Sequence, residues 1–206
     1  MKEFRNFYKD ESISGDDIFY YVYGVLHAPD YQNRFTADLK KTLPRIPFAK
    51  DFRAFKDAGK RLAQLHLNFE NGKEYPLNIL VNGKPLLENI LLRDDDYKIT
   101  KMKWGKEKNK DDKTRIIYNA EITLSAIPEE ALRYKVSGRP ALQWLIDYYQ
   151  VKSNKDSGIV NDPNDWMKEQ NDSQWLIKHI KRITHISIES TKIIEALPSC
   201  LPQTTI

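Results

Sequence analysis

The chain changes its hydrophobic period twice, and this constrains its fold more than any single motif. Ile18, Tyr21, Val22, Val25 and Leu26 recur at i, i+3, i+4, i+7 and i+8, which places them on one helix face. Ser14, three residues before Asp17, predicts a serine cap with an acidic first turn. Pro29 suits a first-turn position, and Tyr31, Phe35 and Leu39 continue at i+4 spacing until Pro44. A third helix is predicted after Pro47, with Phe52, Phe55, Gly59, Leu62 and His66 on one face. The period then shortens. Tyr75 to Val81 is rich in strand formers and runs into Asn82-Gly83, the dipeptide that favours a tight hairpin turn. Tyr97 to Trp104 and Thr114 to Leu124 read as two further strands joined by a charged tip from Gly105 to Lys113. Helical spacing returns after Gly138-Arg139-Pro140, in a region starting at Pro163, and from Trp175 to a stop at Pro198.

The expected architecture is therefore α+β, with helical N-terminal and C-terminal regions around a small antiparallel β-sheet that carries a basic hairpin. Residues 1–72 form the first helical part, 73–136 the sheet and 137–206 the second helical part, together one compact domain. A chain of 206 residues with 40% hydrophobic content can bury such a core. No apolar run approaches the roughly 18–20 residues needed to cross a bilayer, and the start lacks a signal-peptide core, so a cytoplasmic protein is expected. Cys200 is alone, which rules out an internal disulfide; it reads as a spare thiol near a mobile C-terminus.

The net charge of +4 is unevenly spread. From Lys98 to Arg115 eight basic residues stand against Glu107, Asp111 and Asp112, and from Arg34 to Arg61 nine stand against three. The two segments carry +5 and +6, leaving the remainder at −7. Concentrated positive charge is the footprint of a polyanion binder, although lysine-rich faces also occur on ordinary soluble proteins.

Catalytic signatures are scarce. The eight glycines are scattered singly, without the cluster a phosphate loop needs. Asn161-Asp162-Pro163-Asn164-Asp165-Trp166 imitates the Asn/Asp-Pro-Pro-aromatic element of an adenine methyltransferase, but Asn164 replaces the second proline, so a capped turn entering a helix is expected. Asp94-Asp95-Asp96 reads as a solvated acidic turn, because three consecutive carboxylates cannot converge on one metal in regular structure. His66 reads as a packed histidine without companion ligands, and His27, His179 and His185 lie far apart without a nucleophile elbow.

Longer blocks carry a resemblance. Phe19-Tyr20-Tyr21-Val22-Tyr23-Gly24-Val25-Leu26-His27-Ala28-Pro29-Asp30-Tyr31, Arg34-Phe35-Thr36-Ala37-Asp38-Leu39-Lys40-Lys41 and Leu43-Pro44-Arg45-Ile46-Pro47 occur in that order. Ala58-Gly59, Leu62-Ala63, Leu65 to Glu70, Ile127 to Ala131 and Ser157 to Trp166 follow. Over roughly residues 14–197 the chain resembles the C-terminal specificity region of type ISP restriction-modification enzymes. That family joins a nuclease, a helicase-like ATPase, an adenine methyltransferase and a target-recognition domain in one polypeptide. The resemblance implies the last part: a non-catalytic domain that recognises a short sequence in double-stranded DNA while a methyltransferase extrudes the target adenine. No cofactor is expected in this chain; S-adenosylmethionine, ATP and Mg²⁺ would belong to domains upstream of Met1. The expected partners are duplex DNA and the adenine methyltransferase domain of the same polypeptide, with no membrane.

The basic hairpin is the first candidate for DNA contact, since a two-stranded ribbon fits the major groove. Its candidate residues are Lys98, Lys101, Lys103, Trp104, Lys106, Lys108, Lys113 and Arg115, with Arg45 from the other basic region. Trp104 has two readings, a stacking contact with DNA or core packing against Ile116 or Tyr118. Arg139 likewise could read a base or form a structural salt bridge. Two other functions stay open at this point, a protein-interaction module docking on the methyltransferase and a standalone nuclease.

Overall fold

A computed structural model describes residues 1–39, 41, 43–87 and 91–201. Lys40, part of the second basic segment, lies outside them. The elements are α1 Lys2–Tyr8, α2 Gly15–His27, α3 Pro29–Phe35, α4 Phe52–Leu67, β1 Asn78–Val81, β2 Lys84–Pro85, β3 Lys103–Glu107, β4 Lys110–Ile117 and β5 Ile122–Ser125. After them come α5 Glu130–Arg133, β6 Lys135–Val136, β7 Arg139–Pro140, α6 Ala141–Tyr148, β8 Lys152–Ser153, β9 Val160–Asn161, α7 Pro163–Glu169 and α8 Trp175–Glu195. The α+β class holds. Two compact units share these elements, Met1–Asn68 with Glu189–Ile206, and Phe69–Ile188.

In the first unit, α2 starts as its sequence requires. Ser14 Oγ accepts from Asp17 N at 3.1 Å while Asp17 Oδ2 accepts from Ser14 N at 2.9 Å, a reciprocal capping box. Tyr21 and Val25 of α2 and Phe52 and Phe55 of α4 are buried in one cluster with Tyr31 and Ala49. The buried Tyr21 hydroxyl donates to Pro47 O at 2.6 Å and accepts from Ala49 N at 2.7 Å, so the proline-rich segment before α4 is tied to α2. Helix α3 stops at Phe35, one turn earlier than its apolar spacing suggests, and Leu39 follows in a turn. Cys200 departs from expectation. It is 2% exposed, and the Asp30 carboxylate accepts from Ser199 Oγ at 2.7 Å and from Cys200 N at 2.9 Å. Burial and the neighbouring Asp30 carboxylate push the thiol up to about 12, so it is a packed sulfhydryl, not a reactive one.

The second unit is built on a five-stranded antiparallel sheet in the order β2-β1-β5-β4-β3. Asn82 and Gly83, both at positive φ, make the two-residue turn between β1 and β2. Ile79, Leu124, Ile116 and Trp104 lie side by side across β1, β5, β4 and β3 and form the apolar face. Leu142 and Ile146 of α6, Met167 of α7 and Leu176, Ile177 and Ile180 of α8 belong to the same cluster. The strand boundaries correct the sequence reading in two places. Asp94–Tyr97 is a 3₁₀ turn, so β3 begins only at Lys103. The stretch from Thr114 to Leu124 is two strands, because Asn119 Oδ1 accepts from Glu121 N and Ile122 N and folds the backbone into a turn. Among the described residues no helix is long and apolar enough to cross a membrane.

Candidate nucleic-acid interface

The basic hairpin projects from the sheet edge as β3 and β4. Its turn is only Lys108-Asn109, with φ of 46° and 65°, and the segment expected as a nine-residue tip is largely paired strand. Register shifts between Trp104, opposite Ile116, and Gly105, opposite Asp112, so Lys113, Thr114 and Arg115 have no partner in β3 and form a bulge there, while Arg115 stays paired with Ser125 of β5. Gly105 makes this possible. A Cβ there would stand 2.5 Å from Arg115 Cγ, since the Arg115 side chain lies across it. Arg115 then donates from Nη2 to Lys106 O at 3.0 Å and approaches Asp112 Oδ2 to 2.7 Å, which braces the bulge.

Several candidate cations are thereby spent within the hairpin region. Lys106 pairs with Asp111 across the strands at 2.8 Å, and Lys98 pairs with Asp95 at 2.5 Å. Each lysine holds its partner carboxyl below the usual range, first through the hydrogen bond and then through its charge. Asp96 accepts from Arg93 N at 2.8 Å, so two of the three consecutive aspartates serve the 3₁₀ turn itself. Lys101, Lys103, Lys108, Lys110 and Lys113 are different. They are exposed and without ion pairs among the described residues. Arg45 is exposed in the first unit, where its carbonyl accepts from the Tyr31 hydroxyl at 2.9 Å.

Trp104 is the correction among the candidates. It is 5% exposed on the apolar face, opposite Ile116, and cannot stack on DNA from there. The reason is parity, since side chains alternate along a strand and Lys103 takes the outward position. The Trp104 indole N–H donates to Gln143 Oε1 at 2.5 Å, which satisfies its one polar atom. Arg139, at the start of β7, pairs with Asp147 and lies over the Trp144 ring, 4.8 Å from its centroid.

His66 and His179 are packed inside the fold. His66 contacts the Tyr23 hydroxyl through Nδ1 at 2.7 Å and Ser190 Oγ through Nε2 at 2.9 Å, and burial followed by the neighbouring His27 lowers it to about 4. His179 stacks on Trp175 at 4.8 Å with Tyr149 edge-on, and burial followed by Arg182 lowers it to about 4. Both are neutral in the fold, whereas an unfolded histidine titrates near 6.5. Their neutral burial thus contributes no penalty above that value, and stability falls as pH drops from about 6.5 toward 4. Each histidine can add up to about 1.4 kcal/mol of loss per pH unit in that window. Thermal melts at pH 7, 6 and 5 should show a falling Tm, and His179→Phe should flatten the trend; a pH-independent Tm would refute the assignment. Among the described residues no group of three or more His, Cys, Asp or Glu side chains is placed to hold a metal ion.

A family model described as the Type ISP C-terminal specificity domain matches residues 1–179. The chain belongs to this family. The specificity domain also has solved structural relatives. One is a nuclease-deletion mutant of the Type ISP restriction-modification enzyme LlaGI in complex with a DNA substrate mimic, 39% identical over 90% of this chain and 14% of that one, with a TM-score of 0.75. The ATP-dependent Type ISP enzyme LlaBIII bound to DNA is 34% identical over 97% and 12% of the two chains, TM-score 0.78. A DrdV-DNA complex is 30% identical over 96% and 19%, TM-score 0.78. The specificity domain thus spans less than a fifth of each of these relatives. No curated protein matches the chain.

Sequence reasoning missed Gln143, Trp144 and Asp147, the side chains that organise Arg139 and Trp104. It also passed over Gly105, although an isolated glycine within a strand pattern signals a bulge or a close approach.

Proposed function

We propose that this specificity domain recognises a short sequence in duplex DNA for a restriction-modification enzyme and takes no catalytic step itself. It holds the duplex so that the adenine methyltransferase domain of the same polypeptide can reach its target base. The observation that carries this reading is the β3–β4 ribbon and its foot, where Lys101, Lys103, Lys108, Lys110 and Lys113 are exposed and without ion pairs among the described residues, in a family whose similar solved members are DNA complexes. A ribbon of that width enters the major groove, and lysines without an ion pair among the described residues are available to phosphates.

Five phosphate contacts predict a slope of about −4.5 in log affinity against log salt, so binding should weaken roughly 500-fold between 50 and 200 mM. Fluorescence anisotropy of the chain on random-sequence duplex measures it. A slope near zero would sink the electrostatic reading. A second reading, a module that docks on the methyltransferase, draws on the first unit, where Phe7 and Phe48 stack at 4.5 Å while 55% and 38% exposed. A docking module alone would give no anisotropy change at either salt.

A further inference from the structure

The side chains around α6 form a connected polar cluster that phosphate binding leaves unexplained. Ser137 and Gly138, both at positive φ, make the turn between β6 and β7 and deliver Arg139 to its position. Trp144 Nε1 donates to Val136 O at 2.8 Å, so the indole is pinned to the same small hairpin and its face supports the Arg139 guanidinium. Arg139 Nη2 donates to Asp147 Oδ2, and Gln143 Nε2 donates to the other Asp147 oxygen at 3.0 Å. Gln143 in turn accepts from Trp104 at the base of the basic hairpin. The Asp147 carbonyl accepts from Lys152 Nζ at 3.1 Å and Gln150 Nε2 at 2.6 Å, and the Gln150 backbone forms an isolated antiparallel bridge with Lys101. An unbroken path of contacts therefore runs from the foot of the lysine-bearing ribbon to Arg139.

This arrangement suits one task better than another. A phosphate contact needs positive charge and tolerates a mobile side chain, yet Asp147 cancels the charge of Arg139 and fixes its plane. Hydrogen-bond readout needs the reverse, a planar fork held still with donors left over. Arg139 remains 44% exposed after both restraints, and Nη2 alone donates to Asp147, which leaves other N–H groups for a ligand. Such a fork matches the O6 and N7 acceptors of guanine in the major groove. We infer that Arg139 reads a guanine of the target sequence, with Asp147 and Trp144 as its positioning residues. The inference rests on the DNA-recognition reading above and extends it to one residue and one base.

Selection of bound duplexes from a randomised library, with wild-type chain and with Arg139→Ala, Arg139→Lys and Asp147→Asn, tests it. The wild-type consensus should hold one guanine whose preference falls roughly five- to hundredfold in Arg139→Ala and is not recovered by Arg139→Lys. Asp147→Asn should relax that same position without making the salt slope shallower, and Asp147→Glu should recover part of it. A melt of each variant separates these effects from unfolding, and Trp144→Phe, which keeps a ring under the guanidinium, should retain the preference. An unchanged consensus in Arg139→Ala overturns the inference, as does a uniform loss of affinity with a salt slope shallower by about one, the mark of a phosphate contact. A wild-type chain that binds all duplexes equally also overturns it, whereas one that binds no duplex removes the recognition reading itself.

Discussion

Replacing Gly59 with alanine is expected to lower the stability of the first unit by about 2 kcal/mol, and valine at the same position by more. Gly59 sits inside α4 where that helix meets α2, and a Cβ there would lie 1.8 Å from Tyr20 O and 2.7 Å from Gly24 N. The opposing contact is equally close, since a Cβ on Gly24 would lie 2.2 Å from Phe55 O. Both obstacles are backbone, so no rotamer change relieves them. Two effects compete. Alanine is favoured over glycine inside a helix by about 1 kcal/mol, whereas forcing atoms into a filled contact costs about 1–3 kcal/mol and here falls at the upper end. The clash therefore wins, and a thermal melt should show a loss of roughly 4–8 °C in a chain of this size. Gly15→Ala supplies the contrast. That glycine opens α2 with only Met1 Cε near its Cβ position, at 4.0 Å, so the change should leave Tm within a degree or two or raise it. A Gly59→Ala protein as stable as wild type would show that the two helices are not in backbone contact.

That crossing also illustrates which parts of the fold could be read in advance. The helices were legible because their buried faces repeat at the helical period, and Ser14 with Asp17 forms the capping box its spacing implies. Asn82-Gly83 likewise turns where it should, because its residues accept positive φ. The basic hairpin was legible as an element but not in its limits. Lys108-Asn109 lacks the glycine that usually marks such a turn, and the bulge at Gly105 displaces the register, so counting strand periods across it fails. The parity of Trp104 depends on that register. The candidate site was legible as charge and no further. Which cations remain free depends on partners such as Asp95, Asp111 and Asp147, and those pairings follow from strand register and helix placement rather than from composition.

Reversing the charge of Lys101, Lys103 and Lys113 together should weaken duplex binding by several hundredfold or more at about 100 mM salt. These three are chosen because each is exposed and lacks an ion pair among the described residues, whereas Lys106 serves a cross-strand pair and Arg115 braces the bulge. Removing three phosphate contacts forfeits about 2.7 powers of ten in affinity at that salt, and the introduced glutamates add repulsion. The residual slope should fall from about −4.5 to about −2, the value for the two lysines left, Lys108 and Lys110. Exposed lysines contribute little to folding, so Tm should stay close to wild type and binding loss cannot be ascribed to unfolding. Arg45→Glu with Lys50→Glu tests the other basic segment in the first unit. If the ribbon carries the contact, this pair changes affinity only a few-fold. The opposite pattern, with full binding by the triple variant and loss in the Arg45 and Lys50 pair, would move the DNA-binding surface to the segment between Arg34 and Arg61.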